Sequence, residues 1–404
     1  MAAQDEPDSF GQLDHEARGM DVDTLSYWWS TSGRELARMM SVAEYPEEAQ
    51  REFLRFFRDV ICPHLGARPD SMSARSSMTW HGGPIEYSFD LKGSSSMPSV
   101  RFVVDFTQLR PPINSHPLSI TSTQAAIDKL TKMPVFDDTW YQSLVKLFTH
   151  SHLAPEAQKA LAAKTGHQTS MIIGFDIHRK LPEHDALPAM GKVYFIRYPA
   201  SPRLFKVDPD GGLCEKPKEW EDGAWYLATD FVRPEKTRLK VYLRTAGGTF
   251  DEIWDFYTLG GRIAGLDEDR DKIRELFELT SGTGPKKRGV WPSVHVSSRA
   301  TTLYFSLSAD SSYPAPKINI YPANFAADDE SIIRGVDVWL RKHGMNDGGV
   351  SMEERLKNVF THRELGQKTG IVTFIGIGRK GGPSKKDLSM QIYLAPEPYP
   401  NPRV

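Results

Sequence analysis

The chain has 404 residues, 39% hydrophobic and 25% charged, the composition of a folded globular protein and not of a disordered or membrane one. Lys plus Arg number 50 against 52 for Asp plus Glu, a formal net charge of -2, so no global field recruits nucleic acid or an anionic membrane. Two cysteines, Cys62 and Cys214, are too few for a disulfide framework or a thiolate metal site. With no basic-then-apolar leader and no apolar run near the ~18 residues of a membrane span, the sequence reads as cytoplasmic.

Residues 1–21 are polar and read as a flexible N-terminal arm ahead of a single domain over 22–404. Helical periodicity covers about 22–40 and 45–62, the second carrying Phe53, Leu54, Phe56, Phe57, Val60 and Ile61 and stopped by Pro63. Strand-like segments follow at 76–91 and 98–107, broken by Gly93-Ser94-Ser95-Ser96. Helix-like 122–132 and 137–151 precede strand-like 170–178 and 191–199. Strands at 224–232 and 237–245 come next. Helices near 250–260 and 267–280 then precede strands near 301–309 and 316–321, and helices near 328–342 and 351–360 precede strands near 370–379 and 386–394. The order helix, helix, strand, strand recurs, and only the third unit departs from it. There residues 200–223 are rich in Pro, Gly and charge, so its helices should be short or degraded.

Strand pairs joined by short turns are antiparallel neighbours, which excludes a parallel (β/α)₈ barrel. Ten antiparallel strands with helices between the pairs predict an α+β fold of ααββ repeats: a closed ten-stranded barrel ringed by helices. Apolar strand faces must then point outward to the helices and polar faces into the lumen. The alternation agrees. Glu86, Ser88 and Asp90 oppose Ile85, Tyr87 and Phe89; Arg101 and Asp105 alternate with Phe102, Val104 and Phe106, although Val103 interrupts the polar face. Lys192 and Tyr194 oppose Val193 and Phe195, and Arg238, Lys240 and Tyr242 oppose Leu239, Val241 and Leu243. Lys317, Asn319 and Tyr321 oppose Ile318 and Ile320, while Ser389, Gln391 and Tyr393 oppose Met390 and Ile392. A lumen holding Arg101, Lys192, Arg238, Lys240 and Lys317 with little local counter-charge suits a diphosphate. Desolvating such cations without an anionic ligand is costly.

A series of short motifs joins these strands. Tyr27-Trp28-Trp29, Ile61-Cys62-Pro63-His64-Leu65-Gly66, Gly83-Pro84-Ile85-Glu86-Tyr87-Ser88 and Gly174-Phe175-Asp176 come first. Asp230 to Tyr242, Tyr257-Thr258-Leu259-Gly260-Gly261-Arg262, Pro316-Lys317 and Thr361-His362-Arg363-Glu364-Leu365 follow. In order and spacing, over nearly the whole chain, they resemble the fungal aromatic prenyltransferases of the dimethylallyltryptophan synthase type, whose fold is the ααββ prenyltransferase barrel. The resemblance implies transfer of a prenyl group from a prenyl diphosphate donor to an indole-containing acceptor in secondary metabolism. It implies that Arg101, Lys192, Arg238, Lys240 and Lys317 bind the diphosphate, with Tyr194, Tyr242 and Tyr393 as hydroxyl donors and as faces that shield the allylic cation.

Three positions depart from the family's tyrosines: Asn319 in the Pro-Lys-x-Tyr strand, and Phe374 and Ser389. Either the donor pocket is roomier, admitting geranyl or longer chains beside dimethylallyl, or the carbocation is guarded differently. Glu86 is the expected acceptor-side catalytic residue, a carboxylate that takes an indole N–H and raises the electron density of the ring; a lumen salt bridge is its structural alternative. His178 stands where some relatives carry a lysine after Gly-Phe-Asp, and it is the candidate for removing the ring proton, with a plain strand-end histidine as the alternative. Trp225 occupies the acceptor-pocket position where relatives that take free tryptophan have an arginine, which favours a cyclic dipeptide or an indole alkaloid.

Asp267-Glu268-Asp269-Arg270-Asp271 opens a helix, and the helix dipole accounts for its charge without a metal clamp. No cofactor is therefore expected, with Mg²⁺ or Ca²⁺ at most stimulatory. The competing readings are a prenyltransferase acting on a non-indole aromatic, a non-catalytic barrel that binds a hydrophobic anion, and a phosphoesterase. The last lacks a nucleophile or metal cluster at convincing spacing.

Overall fold

Ten strands form one sheet that closes on itself: β1 (Ile85–Leu91), β2 (Ser99–Val104), β3 (Met171–Ile177), β4 (Ala189–Ile196), β5 (Tyr226–Asp230), β6 (Arg238–Thr245), β7 (Thr301–Ser308), β8 (Ala315–Ile320), β9 (Val372–Arg379) and β10 (Leu388–Leu394). Sequence neighbours pair antiparallel throughout, and β1 pairs with β10 to complete the barrel. The computed structural model describes residues 7–17, 23–66, 68, 76, 78–79, 82–93, 97–106, 118, 120–133, 136–150, 153–165, 170–181, 188–196, 226–245, 250–281, 301–345, 349–379 and 387–398. The ten expected strands are all present. Among the described residues of the expected 76–91, Ile85–Leu91 joins the ladder. Residues 200–223 of the third unit lie outside the described residues.

The strands are apolar on the outside because that face is the core. Ile85, Tyr87 and Phe89 of β1 and Phe102 of β2 are fully buried. Phe102 stacks on Phe175 at 4.9 Å and meets Phe53 and Phe57 edge-on at 5.6 and 5.8 Å, so the helix Glu47–Phe56 and the wider turns after it cover this part of the barrel. On the next unit Phe195 packs under Tyr141 and Phe148 of the helix Thr139–Phe148. Each such ring contributes about 1.5–3 kcal/mol by burial. The helices also pack on one another. In the helix Asp329–Lys342 a Cβ at Gly335 would stand 2.2 Å from the Leu279 carbonyl, so glycine permits the approach to the helix Asp267–Thr280. Trp339 Nε1 then donates to the Lys272 carbonyl at 2.7 Å.

Two expectations are corrected. The N-terminal segment is not an arm throughout: Asp8–Ala17 is a helix whose Phe10 and Leu13 are buried. Phe10 stacks on Trp29 at 4.6 Å, and Trp29 Nε1 donates to Asp14 at 3.1 Å. Two apolar residues three apart were enough to dock it, a stripe too short to stand out among polar neighbours. A helix over Pro155–Thr165 was also unforeseen. Its Leu161 joins Leu118, Ile172 and Ile196 in a cluster over one end of the barrel. Among the described residues, no helix is long and apolar enough to cross a membrane.

Asp329 ties the last helical pair to the barrel. Its buried carboxylate accepts from the backbone N–H groups of Gly370, Ile371 and Val372 at 3.2, 3.0 and 2.9 Å and from Arg363 at 2.5 Å. Asp329→Ala should lower the unfolding free energy by ~3–5 kcal/mol in urea titration, because three buried donors and a guanidinium lose their partner. Val338→Ala, on the exposed side of the same helix, should change it by less than ~0.5 kcal/mol.

Candidate active site

Strand direction sorts the lumen residues by depth. The C-terminal ends of β1, β3, β5, β7 and β9 and the N-terminal ends of the other strands meet at one mouth, around a cavity of about 720 Å³. All five cations expected at a diphosphate site line it: Arg101, Lys192, Arg238, Lys240 and Lys317. Lys92, Arg179 and Arg379 join them. Arg379 is positioned from outside the barrel, since its Nε donates at 2.6 Å to Asp269, a buried residue of the acidic helix start. That aspartate therefore serves more than the helix dipole.

The expectation of little counter-charge is wrong. Arg101 lies 2.7 Å from Asp90 and 3.2 Å from Asp176, and Lys192 also donates to Asp176. Arg238 Nε donates to Asp230 at 2.8 Å, with Lys240 3.8 Å from the other oxygen. Cross-strand register causes this: Asp176 sits opposite Arg101, and Asp230 opposite Lys192. Cations still exceed carboxylates, so the lining keeps an excess of positive charge. Burial works against ionisation of Asp176, yet Arg101 and Lys192 hold its carboxyl well below the usual range. Burial pushes the Lys240 ammonium down to about 7, with Asp230 opposing the shift.

Deeper in, a belt of aromatic rings replaces the charges. Tyr194 and Tyr242 lie 6.1 Å apart, Tyr242 and Tyr304 4.8 Å. Tyr393 stacks on Phe374 at 3.8 Å, and Phe374 lies 5.3 Å from Tyr321. Burial raises the phenol pKa values of Tyr194, Tyr242, Tyr304 and Tyr393, which keeps the rings neutral. Tyr304 belongs to this belt and was not anticipated, although Thr302, Tyr304, Ser306 and Ser308 alternate with Leu303, Phe305 and Leu307 in the sequence. Of the three departures from tyrosine, Phe374 keeps an aromatic face, Ser389 donates to the Gly378 carbonyl at 3.1 Å, and Asn319 is almost fully buried.

Glu86 lies four residues from Asp90 along β1, about 13 Å by strand rise. Its carboxylate is buried and accepts from Thr373 Oγ1 at 2.9 Å, and Ser88, two residues along the strand, sits opposite Tyr393. His178 is elsewhere. Glu86 shares its row with Val103 and Gly174, and His178 is four residues beyond Gly174, at the cation-lined mouth. Burial lowers the His178 pKa, with Asp176 opposing. The structure thus brings the diphosphate candidates together and Glu86 near Tyr393, but it does not bring His178 to Glu86. Trp225 lies outside the described residues. Around the upper lumen one wall is apolar, with Val103, Ile172 and Ile196, and the other is polar, where the hydroxyls of Thr302 and Tyr321 bond at 2.8 Å.

Comparison with known proteins gives the same picture. The family model for tryptophan dimethylallyltransferase matches residues 25–205 and 213–355. The chain is similar to Prenyltransferase phnF of Penicillium herquei, 50% identical over 93% of this chain and 92% of that one. It is also similar to 4-O-dimethylallyl-L-tyrosine synthase of Claviceps purpurea, 26% identical over 95% and 90% of the two chains. The solved structure of NotF in complex with brevianamide F and DMSPP superposes with a TM-score of 0.75 at 17% identity, covering 96% of this chain and 98% of that one. A barrel of this topology and family matches over most of the sequence lead to one conclusion: the chain belongs to the tryptophan dimethylallyltransferase family and is an aromatic prenyltransferase.

Proposed function

We propose that the chain transfers a dimethylallyl or longer prenyl group from its diphosphate to a phenolic aromatic ring seated beside Glu86, with no metal or other cofactor required. The observation that carries this reading is the layering of one lumen: excess cations at the mouth, neutral aromatic faces above them, and a buried carboxylate deeper still. When the allylic C–O bond breaks, its electron pair leaves with the diphosphate. Arg101, Lys192, Arg238, Lys240, Lys317 and Arg379 take up that charge in place, and each preorganised donor of this kind is worth ~3 kcal/mol of barrier. These fixed cations supply the role a divalent ion would otherwise fill, so Mg²⁺ or Ca²⁺ would at most stimulate.

The allylic cation lies against the faces of Tyr194, Tyr242, Tyr304 and Tyr393, where the ring quadrupoles attract it and the packed rings exclude water. Glu86 takes the acceptor's O–H proton as the ring attacks; when a ring carbon forms the new bond, Glu86 returns that proton to the oxygen and the ring carbon's own proton passes to the departing diphosphate. His178, on the diphosphate side, serves the leaving group and not the ring. The polar wall of Thr302 and Tyr321 and a relative whose name gives 4-O-dimethylallyl-L-tyrosine as product favour a phenol. An indole is the second reading, because Glu86 takes an indole N–H by the same geometry, and it keeps a cyclic dipeptide or indole alkaloid in the test.

The assay is EDTA-treated protein with dimethylallyl and geranyl diphosphate against phenols, tryptophan and tryptophan-containing cyclic dipeptides, read by product mass. Prenylated phenol in EDTA is the expected product; transfer to indoles alone would replace the phenol reading, and transfer only after Mg²⁺ is restored would end the metal-free one. Glu86→Gln should lower kcat by ~10²-fold while the Kd for donor stays unchanged. Donor binding should also respond to pH through Lys240. The diphosphate stabilises the ammonium, so the pKa of about 7 in the empty protein rises on binding. Donor Kd should be flat below that pH and rise by up to about tenfold per unit above it, and Lys240→Ala should weaken binding and flatten the slope.

A further inference from the structure

The hydroxyls of Thr302 and Tyr321 satisfy one another, but the third polar residue of the same wall has no such partner. Asn319 is 3% exposed, and its Oδ1 has no hydrogen-bond partner among the described residues. It sits opposite Thr302 on β7 and opposite Gly376 on β9. A Cβ at Gly376 would stand 2.7 Å from that Oδ1, 3.0 Å from Cε of Lys317 and 3.5 Å from the edge of the Tyr393 ring, so glycine makes the space in which the carboxamide lies. Where the family resemblance expects a tyrosine face, this chain holds an unspent polar group.

The donor gives that oxygen nothing. An ionised diphosphate only accepts hydrogen bonds, and a prenyl chain neither donates nor accepts. A terminal carboxamide turns between two nearly equivalent orientations, so it can offer the lumen either its oxygen or its N–H groups. An aryl hydroxyl, at once donor and acceptor, matches both. We infer that Asn319, in the space left by Gly376, holds a second oxygen substituent of the aromatic acceptor and so selects a polyoxygenated ring over a singly hydroxylated one. One hydroxyl then rests on Glu86, two residues along β1 from Ser88, the partner of Tyr393, while Asn319 and the edge of the Tyr393 ring border the space left by Gly376. The hydrocarbon edge faces Val103, Ile172 and Ile196. The inference rests on the phenol reading of the acceptor.

The test uses the full chain, dimethylallyl diphosphate, and two probe acceptors, 2,7-dihydroxynaphthalene and 2-naphthol. The wild type should favour the diol by about tenfold in kcat/KM, the scale of one hydrogen bond made in the site. Asn319→Leu should bring the ratio near one with the KM for dimethylallyl diphosphate unchanged, and Asn319→Asp should keep the preference because it still accepts O–H. Gly376→Ala, which displaces the carboxamide and also presses on Lys317, should lose the preference too, with any rise in donor KM reading the effect on Lys317, and it serves if the leucine variant does not fold. An unaltered ratio in Asn319→Leu and Gly376→Ala overturns the inference. A raised donor KM with an unaltered acceptor ratio assigns Asn319 to the donor and overturns it as well. Turnover of indoles but of neither naphthol by the wild type removes the phenol reading itself, a failure distinct from both.

Discussion

Asp176 between Arg101 and Lys192, with Asp230 between Arg238 and Lys240, is the arrangement on which the rest of the lumen depends. Buried cations in an aromatic cavity would repel one another and lose hydration with no return. Interleaved carboxylates fix the head groups of Arg101, Lys192, Arg238 and Lys240 before any ligand arrives, and because there are fewer of them than cations, the mouth stays electropositive. An anion entering this site therefore meets charges already oriented. Little side-chain rearrangement remains to be made during bond cleavage.

The barrel determines where each kind of chemistry lies. Alternation along ten strands sends the apolar set outward, as at Phe102 and Phe175, and leaves the inner face free for charge and phenol. Depth then follows from position along the strand. On β1 alone, Asp90 reaches the charged mouth, Ser88 the middle and Glu86 the upper lumen. One strand thus spans both ends of the proposed reaction, and two steps of its pleat separate leaving group from acceptor.

Much of this was legible in the sequence, because alternation is local. The period-2 pattern gave the strands, their inward faces and the five cations, and the motif order gave the family. What remained hidden depends on register and on contacts across hundreds of residues. Asp176 was visible as part of a motif, but its place between Arg101 and Lys192 follows from the pairing of β2, β3 and β4. Arg379 near the end of β9 is aimed by Asp269, 110 positions earlier, which no local pattern reveals. Phe10 and Leu13 were too sparse a stripe to mark a docked helix. Tyr304 is different in kind: its alternation could have been read, and its belt position follows from it.

Ring closure joins the two ends of the sequence, with Tyr87 of β1 opposite Leu394 of β10. Until that seam forms, the sheet has two open edges, and Gln391 and Tyr393 are separated from Ser88 and Glu86. Loop-closure entropy on this scale must be met before the pairing returns anything, which makes folding slow and late intermediates prone to edge-to-edge association. No partial barrel contains the site. A chain that loses its last strand loses Tyr393 from the aromatic belt and leaves the strand that carries Glu86 unpaired on one edge, so activity in a population of molecules reports the fraction that has closed.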